Sequence, residues 1–183
     1  YHARIFAGTH LSYIGCRSFN NCDDGFDMFD CAGYVTYENC WAFDNGHYGT
    51  IHGDGNGFKL GRFPSLESGN QITMKGCLAF FNPQVGFDEN AATIIVNSNI
   101  SNCTAFKNGN TGFHFQSTNG TGVTTLTNNI SHSNQYRYLG RTRNVVTTST
   151  FNGSTGTGDA PTNTNSTVSD FDFVSIDTTG VSG

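Results

Sequence analysis

One short pattern recurs along the chain and constrains the fold more than any other feature. It reads small residue, Cys, any residue, Ala or Ser, Phe, any residue, Asn. The copies are GCRSFNN from position 15, NCWAFDN from 39, GCLAFFN from 76 and NCTAFKN from 102, with a weaker relative, NISHSN, from 129. The closing asparagines at 21, 45, 82, 108 and 134 are therefore 24, 37, 26 and 26 residues apart. A period of this length indicates structural units that stack on one another.

The segments within each repeat favour strands. Short strand-like runs such as 34–37 and 93–96 are separated by Asn, Gly and Asp, and no apolar pattern with a helical period is longer than a turn. Helical repeats are thereby excluded. The sequence predicts an all-β protein, a right-handed parallel β-helix whose coils lie ~4.8 Å apart. Asparagine tolerates the left-handed turn conformation, and we expect the amides of the closing asparagines to stack into a ladder.

Two features interrupt the regular period. The 37-residue step predicts long loops in one coil, within DNGHYGTIHGDGN and RFPSLESGNQ. After about residue 140 the pattern gives way to Ser, Thr, Asn and Gly, with one apolar island, FDFVSI, from position 171. We therefore predict β-helix coils over 1–140 and an irregular C-terminal segment, 141–183, packed along their outside.

The six cysteines fall into two groups. Four occupy the same position in the repeats, at 16, 40, 77 and 103, and predict an inward ladder that alternates with phenylalanines at 19, 43, 80 and 106. For this ladder, free buried thiols are favoured over disulfides between coils, and both remain open. Cys22 and Cys31 bracket an acidic turn, and we expect a disulfide there more than in the ladder.

Composition limits the classes of binding partner and the location expected for the protein. Nine Lys and Arg residues face 14 Asp and Glu residues, without a basic run, so a nucleic-acid partner is not expected. No apolar stretch approaches the ~20 residues of a membrane-spanning helix, so no membrane association is predicted. The cysteines and several sequons favour a secreted, extracellular protein. The sequons, which could accept N-glycans, begin at Asn99, Asn102, Asn119, Asn129, Asn152 and Asn165.

A Gly-Phe pair follows each of the first four repeats and predicts a chemical stripe. If Phe26, Phe58, Phe87 and Phe113 point inward, the residues after them point outward together. Those residues are Asp27, Lys59, Asp88 and His114. With Asp23 and Asp24 in the preceding turn, three carboxylates would converge in front of Lys59, a set of hard oxygen ligands that suits Ca²⁺. Turn-forming aspartates with a surface ion pair explain the same spacing equally well.

Four segments together carry a family resemblance. They are NNCDDGFDMF from 20, YENCWAFDNG from 37, GNGFKLG from 55 and DFDFVSIDTTG from 170. In these motifs the chain resembles the pectate lyases of polysaccharide lyase family nine, over nearly its whole length. The resemblance implies a right-handed parallel β-helix that binds Ca²⁺ and cleaves an acidic polysaccharide, pectate or polygalacturonate, by β-elimination.

The same resemblance assigns roles to individual residues. It implies that Asp23, Asp24 and Asp27 bind Ca²⁺ and that Lys59 is the base that removes the C5 proton. Arg62 could bind a neighbouring uronate, or be a solvated loop residue, and Arg4 is a weaker candidate for substrate binding.

The family's calcium site also takes an aspartate from the preceding coil. One repeat before Asp23 falls just ahead of Tyr1. We therefore expect the chain to be part of a longer one and the isolated piece to be poorly active.

Two other functions are compatible with the sequence. One is a non-catalytic β-helix that serves as a structural or glycan-binding unit of an extracellular glycoprotein assembly. The other is a glycoside hydrolase that uses Asp27 and Asp88, although Lys59 between them would have no role in that mechanism.

Overall fold

Within the residues that it describes, the computed structural model forms sixteen short strands in three parallel sheets. It describes residues 1–47, 50, 52–61, 69, 71–90, 96–115, 121–140 and 145–147, the last two strands by their backbone. No part of this described chain forms a helix long and apolar enough to cross a membrane. The architecture is a right-handed parallel β-helix, as predicted from the repeat.

Each coil contributes one strand to each sheet. Sheet 1 contains, in spatial order, β1 (His10–Ile14), β4 (Tyr34–Glu38), β7 (Ile72–Lys75), β10 (Ser98–Ser101), β13 (Thr124–Thr127) and β16 (Val145–Thr147). Sheet 2 contains β2 (Arg17–Phe19), β5 (Trp41–Phe43), β8 (Leu78–Phe80), β11 (Thr104–Phe106) and β14 (Ile130–His132). Sheet 3 contains β3 (Phe26–Asp27), β6 (Phe58–Lys59), β9 (Phe87–Asp88), β12 (Thr111–Phe115) and β15 (Tyr136–Gly140).

The core lies inside the coils and is built from ladders of like residues. Phe26, Phe58, Phe87 and Phe113 are fully buried and stack with ring centroids 4.9, 5.0 and 4.7 Å apart, which confirms their predicted inward orientation. A glycine precedes each ring, and at Gly25, Gly57 and Gly86 the neighbouring coil leaves no space for a side chain. A Cβ at Gly57 would lie 2.7 Å from the carbonyl oxygen of the next coil's glycine. The Gly-Phe pair therefore brings successive coils close enough for their rings to stack.

A second aromatic cluster lies on the opposite face of sheet 2. Phe43, Phe80 and Phe106 are buried there, outside the core, because Ala42 and the equivalent alanines occupy the inward positions of the same strands. Phe43 and Phe80 stack with centroids 4.7 Å apart. The repeated phenylalanine of the sequence pattern thus packs sheet 2 from its outer side.

The predicted asparagine ladder is confirmed. The side-chain amides of the ladder asparagines bond one another from coil to coil at 2.7–2.9 Å. The left-handed conformation, however, belongs to the residue before each ladder asparagine, including Phe81 (φ 56°) and Lys107 (φ 49°). A second row of left-handed residues precedes sheet 2, at the small residue of the repeat. Its asparagines, such as Asn39 (φ 52°), adopt this conformation readily.

All six cysteines are free, so the predicted bridge between Cys22 and Cys31 is wrong. Cys31 is fully buried in the core, whereas Cys22 is exposed. The ladder cysteines Cys40, Cys77 and Cys103 are buried as free thiols, the favoured alternative, and Cys16 at the first coil is partly exposed.

The long 37-residue step contains an insertion, as predicted. Residues 44–57, here called the inserted loop, connect β5 to β6, whereas six residues connect β2 to β3. The second expected insertion, RFPSLESGNQ, lies mostly outside the described residues. Sheet 1 continues beyond residue 140, because Val145–Thr147 pairs with β13. The packing predicted for the C-terminal segment beyond that strand falls in the undescribed part of the chain.

One expected glycosylation site is incompatible with the fold. Asn129 is fully buried, its amide donates to the carbonyl of Ile100 at 2.8 Å, and its Oδ1 accepts from the amide of Cys103 at 2.8 Å. Asn99 is partly exposed and Asn102 exposed, so both remain proposed acceptors. Asn119, Asn152 and Asn165 lie outside the described residues.

Candidate metal and catalytic site

The acidic turn lies between the ladder residue Asn21 and strand β3. Asp23 in this turn is exposed, whereas the side chain of Asp24 is fully buried. The backbone N–H of Asn56 donates to Asp24 Oδ1 at 2.7 Å, and Lys59 Nζ lies 2.9 Å from Asp24 Oδ2. Oδ2 accepts no well-aligned hydrogen bond within the described structure. The turn therefore holds a buried carboxylate whose second oxygen depends on a nearby cation.

The described residues 52–57 of the inserted loop lie against this turn and bond to it through their backbone. Gly53 N donates to the carbonyl of Cys22, and Asp54 N donates to Asp23 Oδ1, both at 2.7 Å. The approach requires glycine at position 53, because a Cβ there would lie 2.0 Å from Asp23 Oδ1. The loop thus places the Asp54 carboxylate beside those of the acidic turn.

Three carboxylates gather where the loop and turn meet. Asp23, Asp24 and Asp54 each offer a ligand atom, and these atoms all lie within 4.8 Å of one another. Ca²⁺ takes six to eight hard oxygen ligands in flexible geometry, so a set of neighbouring carboxylates fits this ion. Zn²⁺ would be expected to select nitrogen and sulfur ligands instead.

Lys59 lies at the centre of this charge. It is 9% exposed, and its Nζ lies 2.9 Å from Asp24 Oδ2 and 3.2 Å from Asp54 Oδ2. Its position on β6, directly after the buried Phe58, sends its side chain outward toward the turn. The lysine therefore contacts the same carboxylate oxygens that a metal ion would bind.

Burial and pairing shift the pKa values of both partners. Burial raises the pKa of the Asp24 carboxyl, an effect that Lys59 and the N–H of Asn56 partly offset. Burial would lower the pKa of Lys59, but the carboxylates of Asp24, Asp27 and Asp54 together outweigh it and raise that pKa well above its usual range. In this arrangement Lys59 is a cation at neutral pH, and the desolvation that would make it a better base does not prevail.

The predicted outward stripe on sheet 3 is confirmed by the strand register. Asp27 pairs with Lys59, Lys59 with Asp88, and Asp88 with His114. Asp88 and His114 contact each other directly, with Oδ1 and Nδ1 2.8 Å apart. The Lys59 side chain itself turns toward the acidic turn rather than toward Asp88.

Asp27 lies on the stripe but outside the group of three carboxylates. Its Oδ1 accepts from the backbone N–H of Phe29 at 2.9 Å, and its Oδ2 lies 3.2 Å from His2 Nδ1. Of the three expected calcium ligands, the structure brings Asp23 and Asp24 together. Asp54 takes the third place in the group.

The structure gives little support for the two arginines expected to bind substrate. Arg4 has a side chain that is 70% exposed, and its Nη2 lies 3.2 Å from Asp30 Oδ2. Arg62 lies outside the described residues.

Asp54 is not among the metal ligands predicted from the sequence. It lies in the motif GDGN, within the one long step between repeats. The contact depends on how far the inserted loop folds back over the preceding coil, and no periodicity encodes that distance.

The fold and the site together define a class of protein, a right-handed parallel β-helix with carboxylates and a lysine at the edge of one sheet. A family model described as "Pel9A-like, right handed beta helix region" matches residues 1–119. The chain belongs to this family.

Curated relatives include two pectate lyases. Pectate lyase L of Dickeya dadantii is 42% identical over 113 residues, which cover 58% of this chain and 25% of that protein. Pectate lyase PEL9 of Emericella nidulans is 34% identical over 141 residues, which cover 66% of this chain and 33% of that protein. The chain thus spans a quarter to a third of the length of these relatives.

Solved structures show the same fold. The crystal structure of pectate lyase Pel9A is 32% identical, with a TM-score of 0.62 over 91% of this chain and 38% of that one. A rhamnogalacturonan lyase is 24% identical, with a TM-score of 0.55 over 91% of this chain and 42% of its own, a likeness of fold alone.

Proposed function

We propose that the complete protein is a secreted, calcium-dependent pectate lyase that cleaves α-1,4-galacturonan by β-elimination. The observation that supports this most is a nearly buried lysine held against carboxylates on the outer face of a Pel9A-like β-helix. Family membership makes an acidic polysaccharide the natural substrate class. An acidic protein with a formal net charge of −5 would need a bridging cation to bind such a polyanion.

In this proposal Asp23, Asp24 and Asp27 hold the calcium ion. Bound there, calcium would link the protein to a uronate carboxylate and withdraw charge from it, making the C5 proton more acidic. The exposed Asp23 offers oxygens toward solvent, where a substrate would approach. The buried Asp24 offers Oδ2, which lies 2.9 Å from Lys59 Nζ.

Lys59 acts as the base. As a neutral amine, its Nζ accepts the C5 proton, the electron pair of the C5–H bond forms the C4–C5 double bond, and the C4–O bond breaks. The departing glycosidic oxygen then takes up a proton. Because only the neutral amine can accept a proton, and the paired Lys59 holds its own tightly, alkaline pH should favour the reaction.

Neighbouring uronates of a bound polysaccharide need cationic partners on the protein. We assign this role to Arg62 and, more weakly, to Arg4. Arg4 would first have to leave Asp30, which costs little because both side chains are exposed.

A second candidate is a non-catalytic β-helix in an extracellular assembly. The observation that favours it is the pairing of Lys59 with two carboxylates, which could serve as a structural ion pair. In that case the site would stabilise the turn and have no base.

Product analysis of the complete protein separates these candidates. Incubation with polygalacturonate and Ca²⁺ should release fragments with unsaturated non-reducing ends, which absorb ultraviolet light. In mass spectrometry each such fragment should be lighter by one water than the hydrolysis product of the same length. A chelator should abolish the release. Saturated fragments would indicate a hydrolase, and absence of fragments would favour the non-catalytic role.

A further inference from the structure

The outer face of sheet 2 carries an aromatic row that the proposed function does not use. The row follows the register of the sheet and consists of Phe19, Phe43, Phe80, Phe106 and His132. We propose that the C-terminal segment of this chain covers this outer aromatic row, with its apolar island FDFVSI packed against the rings. The proposal involves neither calcium nor catalysis.

The first support is the burial of rings that point away from the core. Phe43, Phe80 and Phe106 are only 7%, 4% and 8% exposed. Stacking between coils, with the Phe43 and Phe80 centroids 4.7 Å apart, covers the flat sides of a ring and not its outer edge. Tyr34 stacks in the same way on His10 at 4.6 Å, on the outer face of sheet 1, and stays partly exposed. The lower exposure on sheet 2 therefore indicates a further layer of chain over the row.

The apolar surface extends beyond the row itself. Trp41, Leu78 and Phe81 pack against the buried rings and are only partly buried. Contiguous apolar patches of several side chains are seldom left open to water on a globular protein, and such a patch is typical of an interaction surface. The face is therefore broad enough for an extended segment to lie along it.

The connections between strands leave the C-terminal segment to cover this face. Sheet 1 passes to sheet 2 through two residues in each coil, whereas the long connections 60–71, 89–97 and 116–123 run from sheet 3 to sheet 1. The inserted loop starts after Phe43, and its described part bonds back to the acidic turn of the preceding coil. It thus extends away from Phe106, which lies two coils further on.

The position and length of the C-terminal segment suit this path. Strand β16 ends at Thr147 in sheet 1, and from this sheet every earlier coil passes directly to sheet 2. Residues 148–183 follow, with the apolar island at 171–176. The five strands of sheet 2 span about 19 Å at ~4.8 Å per strand, which roughly six extended residues can bridge. The island is therefore long enough to lie across the row.

The chemistry of the two surfaces is complementary. The sequence DFDF, from position 170, alternates acidic and aromatic residues, so both phenylalanines share one side of an extended strand. Arg17 lies over the Trp41 ring at 4.0 Å, at one end of the face, and Lys107 lies over the Phe106 ring at 5.1 Å, near the other. Aromatic rings would thus pack on rings, and the aspartates would lie near cations.

Photo-cross-linking in the complete protein tests this assignment. With p-benzoylphenylalanine in place of Phe173, mass spectrometry of the irradiated monomer should map the cross-link to β8, β11 or the residues beside them. The same group in place of Tyr34, on the outer face of sheet 1, is the matched control and should give no link to 171–176. Links from position 173 to sheet 1 or sheet 3, or links between two copies of the chain only, would overturn the proposal.

Thiol labelling gives a second readout of the same contact. Leu78→Cys places a thiol beside the row, and peptide mapping separates it from the native cysteines. Its labelling should be at least about tenfold faster when Phe171→Ser and Phe173→Ser are added, because a covered thiol reacts only after its cover opens. Thr73→Cys, on the outer face of sheet 1, should react equally in both backgrounds. Equal rates for Leu78→Cys in both backgrounds, or its protection only by added polygalacturonate, would show that the segment does not cover this face.

Discussion

Replacing Lys59 by Met should destabilise the protein in a pH-dependent manner. The substitution keeps an unbranched side chain one atom shorter but removes the cation beside a completely buried carboxylate. Breaking a buried ion pair in this way costs about 3–5 kcal/mol. Asp24 keeps its hydrogen bond from Asn56 N, so the lower end, about 3 kcal/mol, is expected at neutral pH.

The sign of the pH dependence follows from the Asp24 carboxyl. Burial already raises its pKa in the folded state, and without Lys59 nothing but Asn56 N offsets that effect. A carboxyl whose folded pKa lies above its unfolded value penalises folding when ionised, and the penalty disappears as the pH falls through the folded pKa. The loss of stability caused by Lys59→Met should therefore be largest at about pH 7. It should shrink as the pH falls to about 5, toward the carboxyl's unfolded pKa of ~3.9.

Urea unfolding followed by circular dichroism, at both pH values and without calcium, measures this difference. Lys75→Met is the matched control, because Lys75 is 65% exposed and lies 4.0 Å from Glu38, an ion pair expected to contribute less than about 1 kcal/mol. The double variant Asp24→Asn with Lys59→Met should recover much of the lost stability. A loss below about 1 kcal/mol, or the same loss at both pH values, would refute the reasoning.

Two further predictions concern the scaffold. Asn82→Ala removes a fully enclosed ladder amide that bonds Asn108 and the carbonyl of Ala42, and should lower the free energy of unfolding by about 3 kcal/mol in the same urea assay. Asn110→Ala, at a partly exposed position that bonds the side chains of Gln84 and Thr111, should lower it by about 1 kcal/mol or less, and equal effects would argue against the ladder. A thiol reagent should label Cys22 in the folded protein well before the buried ladder thiols, and resistance of Cys22 until reduction would instead reveal a disulfide.

The coil architecture was predictable because it is repeated. The spacing of the closing asparagines gives the coil length, and the Gly-Phe pairs give the register of sheet 3, so the stripe from Asp27 to His114 follows from alternation alone. Each of these inferences relies on several copies of one pattern. A repeat therefore encodes which residues align, though not which face a phenylalanine such as Phe43 packs against.

The candidate site was predictable only in part, because its decisive contacts are not repeated. The convergence of Asp23, Asp24 and Lys59 came from the register and from resemblance, whereas Asp54 depends on the path of a loop that occurs once. The Cys22 and Cys31 pair failed for a related reason. Nearness in sequence suggested a bridge, but Cys31 is buried in the core whereas Cys22, on the other side of strand β3, is exposed.

The identity of the base is the central claim, and the rate of unsaturated product formation tests it most directly. In the complete protein, at saturating calcium and polygalacturonate, Lys59→Ala should reduce the rate by several orders of magnitude, while Lys75→Ala should leave it unchanged. Calcium affinity measured on the same Lys59→Ala preparation should be at least that of the wild type, because the substitution removes a cation that pairs with the same carboxylates, and this binding shows that the site is still formed. A Lys59→Ala variant that releases unsaturated product at the wild-type rate would contradict the account.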